Sequence, residues 1–459
     1  MVNSPLQTLC EFIASLKYED LPNDVVDKTK VHITDTIGSA LAGTCSYEFQ
    51  QVTQFRCGRP TSSIWGTEYL TSPREAAFIN GVASHVFELD DSGGCDHSGS
   101  VVIPAALAAL SLSEKPVTGK DLIVSIVVGY EVGRRILDST GGYNAHNSIG
   151  WHSTGTCGTL AAASAVAKLL DFDATKCQHA ITLATSFSSG LWAFIHDGSQ
   201  AKKIHAGRAA EGGLLAAQLA DKNFTGPSQV FDDVWGGFFK TFNQSSGDIY
   251  KLVEELGHDW KVRRATIKPY ASCRGAHSSI DALIDLLEEN KRLTIDIESI
   301  EVELNPMLMN MCGSKSYQSL AATQMSLPYA LAAYIVHGSS RLESYSYKKR
   351  YDPRIQDCFS KMIMKVNQDM GEMEEPQITV MFKGGYQVSK TVPRATGSAE
   401  RPITTEALHA KFFSLSKMAL PSSEVTTLHQ TLMALEQLTD CFQLDALLSL
   451  ESTQQNVFS

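Results

Sequence analysis

Four polar clusters interrupt otherwise apolar stretches of the sequence, and the first of them is rich in acids. Residues 88–99 place four carboxylates and one histidine around a glycine-rich turn: Glu88, Asp90, Asp91, Asp96 and His97. Neighbouring carboxylates raise one another's pKa and set the protonation of an adjacent imidazole, which is the chemistry of general acid–base catalysis. The alternative is a solvated loop in which Asp91 or Ser92 caps a helix. Composition alone leaves both interpretations open.

The other three clusters each bring a histidine or a lysine to the start of a small-residue helix. They are residues 150–158 with His152, residues 200–208 with Lys202, and residues 268–277 with Lys268, Tyr270 and His277. The N–H groups at a helix start attract anions, and a nearby lysine can hold a carboxylate. Capped helices, a solvated charge run and a structural histidine would explain the same spacing.

Composition indicates a large folded protein and argues against two classes of partner. Of 459 residues, 43% are hydrophobic and 19% are charged, so a substantial core is expected. The net charge of −11 argues against binding to nucleic acid or to an anionic membrane surface. The longest largely apolar stretch, residues 101–112, contains Pro104 and is too short to span a bilayer.

The cysteines and the missing motifs limit the cofactors that we expect. The ten cysteines are scattered and form no C-x-x-C, which predicts reduced thiols and argues against a cysteine-ligated cluster or structural zinc. No H-E-x-x-H, G-x-S-x-G, Walker or G-x-G-x-x-G motif occurs. The first residues lack a basic segment followed by an apolar one, so we expect a cytoplasmic protein, with the mitochondrion as the alternative.

Hydrophobic periodicity predicts a helical first half. Ser4 and Pro5 are typical of a helix start, and a second helix is predicted from a cap at Asp24 to Gly43. Later segments rich in Ala, Leu and Val predict interior helices that pack closely: residues 104–112, 122–130, 160–170 and 213–219.

The pattern changes after about Thr266. Alternating residues predict a strand at 300–304 and a hairpin at 378–388 that turns at Gly384 and Gly385. Helices are predicted at 277–289 and 321–336, and the helical period returns from Thr404 to about Leu448. The predicted fold class is mainly α with an inserted α+β domain. A large all-helical domain (residues 1–265 and 399–459) is formed by both chain ends, and residues 266–398 form a smaller α+β lid domain.

The four clusters, taken in this order, resemble the MmgE/PrpD family. The family's acid-rich loop ending in His matches 88–97, its Gly-Trp-His matches 150–152, and its lysine before a His-x-Gly helix matches Lys202. Its Lys-x-Tyr-x-x-Cys-x-x-x-His matches 268–277, and two N-terminal motifs match 35–38 and 76–81.

The resemblance implies a lyase for a small di- or tricarboxylic acid that needs no cofactor and no metal, and it implies a homodimer. Family members include 2-methylcitrate dehydratase, cis-aconitate decarboxylase and iminodisuccinate epimerase. Residues 236–238 and 323–329 look closest to the fungal type of cis-aconitate decarboxylase. Dehydration, epimerisation with the same acid–base residues, and a binding protein without catalysis are the alternatives.

The resemblance also implies a role for each matched residue. His97 is expected as general acid or base, with His152 and His277 orienting the substrate or sharing proton transfer. Lys202 and Lys268 are expected to hold substrate carboxylates. The other substrate-binding residues are expected to be Glu88, Asp91, Ser92 and Tyr270.

Overall fold

The computed structural model describes residues 4–244 and 247–449, so the last ten residues of the predicted 399–459 segment lie outside the described residues. The α-helices are α1 Pro5–Ser15, α2 Asn23–Gly43, α3 Tyr47–Val52, α4 Pro73–His85, α5 Gly99–Ala108, α6 Gly119–Ser139, α7 Gly142–Ser148, α8 Ser153–Leu169, α9 Ala174–Ala184, α10 Ala201–Asp221, α11 Phe238–Asn243, α12 His277–Glu289, α13 Pro306–Cys312, α14 Leu320–Gln324, α15 Leu327–His337, α16 Tyr347–Arg350, α17 Pro353–Ser360, α18 Thr405–Ser416, α19 Ser422–Met433 and α20 Phe442–Leu448. The strands are β1 Ser62–Ser63, β2 Leu70–Thr71, β3 Ile297–Leu304, β4 Met362–Val366, β5 Gln377–Phe382 and β6 Tyr386–Thr391.

The first two helices show which sequence signals hold. The side chain of Ser4 accepts a hydrogen bond from the backbone N–H of Gln7, as expected for the cap of α1. The predicted cap at Asp24 is wrong, because α2 begins one residue earlier, after Pro22, and no side chain caps it. The Asp24 carboxylate pairs with Arg263 instead, at 2.7 Å.

Small residues let the interior helices α8 and α10 lie close together, as predicted. A Cβ added to Gly213 on α10 would stand 2.4 Å from the Cβ of Ala162 on α8. On its other side, Gly207 of α10 lies against the carbonyl of Phe78 on α4, where an added Cβ would be 2.4 Å from the oxygen. Such contacts leave no room for larger side chains, so α10 is fixed between α4 and α8.

Two apolar clusters form the core. The larger joins helices from residues 6–265 to side chains of α18, α19 and α20. The smaller is built mainly from residues 271–392 and also takes in Ala42, Val86, Phe87, Leu89 and Leu415. A mainly helical, two-part architecture is therefore observed, while the boundaries at 265/266 and 398/399 stay predictions.

The second part of the chain confirms the predicted hairpin and the predicted strand at 300–304, which lies within β3, and it corrects two other predictions. Its strand order is β4-β3-β5-β6, in which β5 and β6 form the predicted hairpin. Strand β4, parallel to β3, was not predicted, because it is a short edge strand whose residues are mostly exposed. The single helix predicted at 321–336 is two helices, since Ser326 caps a new helix that has Pro328 near its start.

Among the described residues, none of the helices combines the length and the apolar composition that a membrane span requires.

Candidate active site

The acid-rich loop between α4 and α5 is buried and held from several sides. Asp91 accepts hydrogen bonds from the hydroxyl of Tyr130, at 2.5 Å, and from the backbone N–H of Gly99, at 2.9 Å. Lys411 of α18 donates to the carbonyl of Leu89 at 2.7 Å. Asp91, predicted to bind substrate, thus faces α5 and α6. It holds the loop in place and does not line the cleft.

His97 is placed so that its two ring nitrogens meet different partners. Its Nδ1 lies 2.8 Å from the carbonyl oxygen of Asp91 and 3.1 Å from Oδ2 of Asp90. Both oxygens only accept, so Nδ1 carries a hydrogen in every state of the ring. Its Nε2 lies 3.8 Å from Oδ2 of Asp96, and the residue lines a cleft. The proton that His97 can give or take is therefore on Nε2.

The charge of His97 follows from its surroundings. Burial alone would lower the pKa of this imidazole, but the carboxylates of Asp96 and Asp90 outweigh burial and raise it. Burial lowers the pKa of the neighbouring His85 to about 3 and that of His152 to about 4. The cluster thus holds a ring whose charged form is favoured, His97, beside two rings that are neutral at pH 7.

His152 and Asp96 stand next to His97 on its Nε2 side. His152 precedes α8, and its Nε2 lies 3.4 Å from Oδ2 of Asp96. Burial by itself would raise the pKa of Asp96, but the rings of His97 and His152 lower it further than burial raises it. Behind His152, the Nδ1 of His205 lies 2.9 Å from the Nδ1 of His152. The cluster therefore extends from the cleft to α10.

Three buried ammonium groups converge on the carboxylate of Glu88. Lys202 donates to both of its oxygens, at 2.8 and 2.7 Å, and Lys203 donates to one of them at 2.8 Å. Lys268 lies 3.4 Å from Oε2 and also donates to the backbone carbonyl of Glu88 at 3.3 Å. Although burial opposes its ionisation, these lysines hold the pKa of Glu88 well below its usual range. The group is a positive pocket already organised around one carboxylate.

A cleft of about 940 Å³ brings these groups together. Its walls come from the acid-rich loop, from α7, from α10 and from residues of the second part of the chain. The predicted residues that line it are Glu88, Ser92, His97, Lys202 and Lys268. The positive groups of the lining also include Arg134, Arg264 and Arg274.

Four predicted site residues lie outside this lining: Asp91 and His152, described above, and Tyr270 and His277. The hydroxyl of Tyr270 donates to Asp281 of α12 at 2.6 Å. The ring of His277 packs edge-on against Tyr270, with centroids 5.2 Å apart, and its Nε2 lies 3.2 Å from the carbonyl of Ser272. Burial holds the pKa of His277 well below its usual range, so it is a neutral ring. The structure places both residues in the support of the loop that carries Lys268.

Lys203, His85 and His205 belong to the cluster although sequence reasoning did not select them. Lys203 follows Lys202 on a helix, where adjacent residues point about 100° apart, so both would not be expected in one pocket. His85 is the last residue of α4, and its Nδ1 lies 2.9 Å from Oδ2 of Asp90. The one available signal was proximity in sequence to a selected residue.

Some of these side chains have a spacing that a metal ion would also accept. Two sets of donors lie within 4.8 Å of one another in the described part of the chain: His85, Asp90 and His97, and Asp96, His97 and His152. Asp90 Oδ2 already accepts from Ser100 Oγ, at 2.7 Å, and lies beside the two imidazole nitrogens. In this arrangement Asp90 Oδ2 accepts hydrogen bonds from its neighbours.

These features place a cluster of histidines and carboxylates beside a pocket of three lysines, in a mainly helical protein with a smaller α+β part. The chain belongs to the MmgE/PrpD family: the family model of the N-terminal domain matches residues 7–248, and that of the C-terminal domain matches residues 270–437. The resemblance inferred from the ordered clusters is confirmed.

Curated relatives match along almost the whole chain. It is 30% identical to cis-aconitate decarboxylase-like protein oryM of Aspergillus oryzae, over 96% of each chain. It is 28% identical to cis-aconitate decarboxylase of Aspergillus terreus, over 96% of this chain and 95% of the relative. Cis-aconitate decarboxylase of Mus musculus is 26% identical, over 99% of this chain and 95% of the relative.

Proposed function

We propose that this protein is a carboxy-lyase that needs no cofactor and converts cis-aconitate to itaconate and CO₂. The observation that carries the proposal is the imidazole of His97 in the cleft lining, with carboxylates that raise its pKa, beside a pocket in which three lysines converge on Glu88. The family and the printed names of the relatives support this reading over the dehydratase and the epimerase.

The lysines account for substrate binding. A carboxylate of the substrate would take up hydrogen bonds from Lys202 and Lys268, which now point at Glu88. Charge-assisted hydrogen bonds in a buried pocket are stronger than the same bonds in water. Lys203 stays on Glu88 and keeps that carboxylate ionised. The arginines of the lining would hold the remaining carboxylates of a tricarboxylate.

The chemistry follows from where the negative charge develops. When the bond to CO₂ breaks, its electron pair moves through the double bond of cis-aconitate onto the carbon beside another carboxylate. That carboxylate shares the charge, and ammonium groups placed there stabilise it. His97 then gives its Nε2 proton to this carbon, which becomes the saturated CH₂ of itaconate. The carbon that lost CO₂ becomes the =CH₂ group. One proton is consumed in each turnover, and water must then reprotonate the imidazole of His97.

Direct assay of a panel of acids tests the proposal. Purified protein is given cis-aconitate, 2-methylcitrate or an aspartate-derived dicarboxylate, and CO₂ release is measured. We expect CO₂ from cis-aconitate alone. Formation of an alkene from 2-methylcitrate without CO₂ would replace the proposal with the dehydratase. Exchange of the α-hydrogen without a new product would indicate the epimerase, and no reaction with any acid would indicate a binding protein.

We also propose a homodimer, a reducing compartment and a mobile lid. The ten cysteines are all unpaired, and nine of them are buried, which supports residence in the cytoplasm or another reducing compartment.

Residues 266–398 would form the lid, since Thr266 and Ala399, at its two ends, both line the cleft. Closure of the lid would exclude water from the carbanion. Sedimentation analysis tests the dimer.

A further inference from the structure

We propose that His205, a residue outside the cleft lining, is a positioning residue that fixes which nitrogen of His152 carries the hydrogen. The inference concerns the same site as the proposed function and rests on it only where turnover is the readout. His205 lies in the first turns of α10, three residues after Lys202. Its side chain is half-buried, and that of His152 is fully buried.

The contact between the two rings requires one donor and one acceptor. The Nδ1 atoms of His152 and His205 are 2.9 Å apart, which is a hydrogen bond between nitrogens. Burial lowers the pKa of His152 to about 4 and that of His205 to about 2, so both rings are neutral. Each neutral ring carries a hydrogen on one nitrogen only.

The other face of His152 decides the direction. Its Nε2 lies 3.4 Å from Oδ2 of Asp96, and an ionised carboxylate only accepts. The hydroxyl of Thr154, 3.3 Å from the same Nε2, can accept as well. His152 therefore carries its hydrogen on Nε2 and presents a lone pair at Nδ1. It follows that His205 carries its hydrogen on Nδ1 and donates to His152.

This arrangement matters for the charge of His97. Donation from His152 Nε2–H helps to keep Asp96 ionised, and ionised Asp96 is the group that raises the pKa of His97 most. With its hydrogen on Nδ1, His152 would turn a lone pair toward the Asp96 carboxylate. The two groups would then repel, and the support for the charged ring of His97 would weaken.

The surroundings of His205 hold its ring in the donating orientation. The backbone of Gly190, with a φ of +111°, packs against the ring, and a Cβ added there would lie 3.3 Å from its Nδ1. The ring of Phe194 packs edge-on, with centroids 5.9 Å apart. The contacts with Gly190 and Phe194 restrict rotation of the His205 ring, so its Nδ1 stays directed at His152.

The sharpest test uses two substitutions of equal shape and opposite hydrogen-bond polarity. In His205→Asn, the side-chain amide can place an N–H where Nδ1–H stands, whereas in His205→Asp the carboxylate can only accept. We expect His205→Asn to turn over within a few-fold of wild type. His205→Asp should lose about 10- to 100-fold in kcat with KM little changed, as is typical when a partner that orients an imidazole is removed. A role in packing alone would affect both variants equally, and that result would overturn the proposal.

A second measurement needs no turnover, and its result for the wild-type protein alone can overturn the proposal. Nitrogen NMR of protein labelled in its histidines reports which ring nitrogen carries hydrogen. We expect His152 to be protonated on Nε2 alone in wild type and in His205→Asn, and on Nδ1, or on both nitrogens, in His205→Asp. His146→Asn is the matched control, because this buried ring bonds to a hydroxyl that can donate or accept, at 2.7 Å. A wild-type protein with hydrogen on Nδ1 of His152 would contradict the proposal whether or not any acid is decarboxylated.

Discussion

At the scale of single residues, what distinguishes His97 is the set of groups that surrounds it. His85, His97 and His152 are all buried within a few ångströms of one another. The pKa falls for His85 and His152, where burial outweighs the neighbouring carboxylates, and rises for His97, where the carboxylates of Asp96 and Asp90 outweigh burial. The same type of side chain thus favours its neutral form in two positions and its charged form in the third.

Substitution of His97 tests its role as the acid. His97→Asn keeps a hydrogen-bond donor near Nδ1 and removes the Nε2 proton. We expect CO₂ release from cis-aconitate to fall by about 100-fold or more in kcat, the usual value of general acid catalysis, with a melting temperature close to wild type. His146→Asn is the control and should retain full activity. Near-normal turnover of His97→Asn would remove His97 from the mechanism.

The pH dependence of kcat/KM tests the cause of the raised pKa. In the proposed mechanism the charged ring gives the proton, so activity should be present below the raised pKa of His97 and be lost as the pH rises through it. In Asp96→Asn a raising charge is gone, and the alkaline limb should move to lower pH. A limb that stays in place would contradict the assignment. The ionisable groups that face His97 are two carboxylates, one ammonium and two imidazoles: Asp90, Asp96, Lys268, His85 and His152.

The sequence predicted the types of site residue better than their orientation. His97, Lys202 and Lys268 meet in the cleft as expected, because they occur in motifs whose order resembles the family. Orientation depends on distant partners, which no local pattern reveals. Asp91 is turned away by Tyr130, thirty-nine positions along the chain, and Tyr270 by Asp281.

At the scale of elements, α18 supports the acid-rich loop although it lies more than three hundred positions away. Lys411 on α18 forms an ion pair with the buried Asp35 of α2, at 2.6 Å, and bonds the carbonyl of Leu89, at 2.7 Å. A single ammonium group thus joins the C-terminal segment, an N-terminal helix and the acid-rich loop that carries His97. The position of the loop depends on both ends of the chain.

Removal of Lys411 should therefore weaken the fold and the site together. Lys411→Met leaves the carboxylate of Asp35 buried without its cation, and burial already raises the pKa of that carboxylate. We expect a loss of about 3 kcal/mol in the free energy of unfolding, measured with denaturant. The double variant Asp35→Asn/Lys411→Met leaves no buried charge at this contact and should recover most of the loss. Equal destabilisation of the two variants would contradict the ion-pair explanation.

The accuracy of the element predictions followed the strength of the local signal. The hairpin β5–β6 was predicted because its alternation flanks two glycines with positive φ, Gly384 and Gly385. Strand β4 was missed because Met362–Val366 is short and lies at a sheet edge, where half-buried alternation is weak. Packing against β3, rather than local propensity, makes it a strand.

At the scale of the whole molecule, the cleft lies where the two parts of the chain meet. Glu88, His97 and Lys202 come from the first part, whereas Lys268 and Arg274 come from the second. The charge balance of the complete sequence gave no sign of this pocket, because its lysines are a small share of a protein with net charge −11. The location was predictable only as a junction between two differently patterned regions.

Limited proteolysis tests whether the second part closes over the cleft. Two trypsin sites are exposed at the ends of the proposed lid: Arg264 lies just before it and Arg394 lies near its last residues. We expect cis-aconitate to slow cleavage at both sites, because closure restrains their backbone. Cleavage at Arg56, in an exposed segment outside the cleft lining, should keep its rate. Equal rates with and without the acid at all three sites would contradict closure.

The most direct test of the account is a proton NMR time course of the protein with cis-aconitate in D₂O. If decarboxylation ends with proton transfer to carbon, the methylene signals of itaconate must appear as those of cis-aconitate decay. One deuterium should then be found on the saturated carbon of the product, and His97→Asn should form product about 100-fold more slowly or worse. Loss of cis-aconitate to any other product, or no change in its signals under conditions in which the protein is folded, would contradict the proposed function.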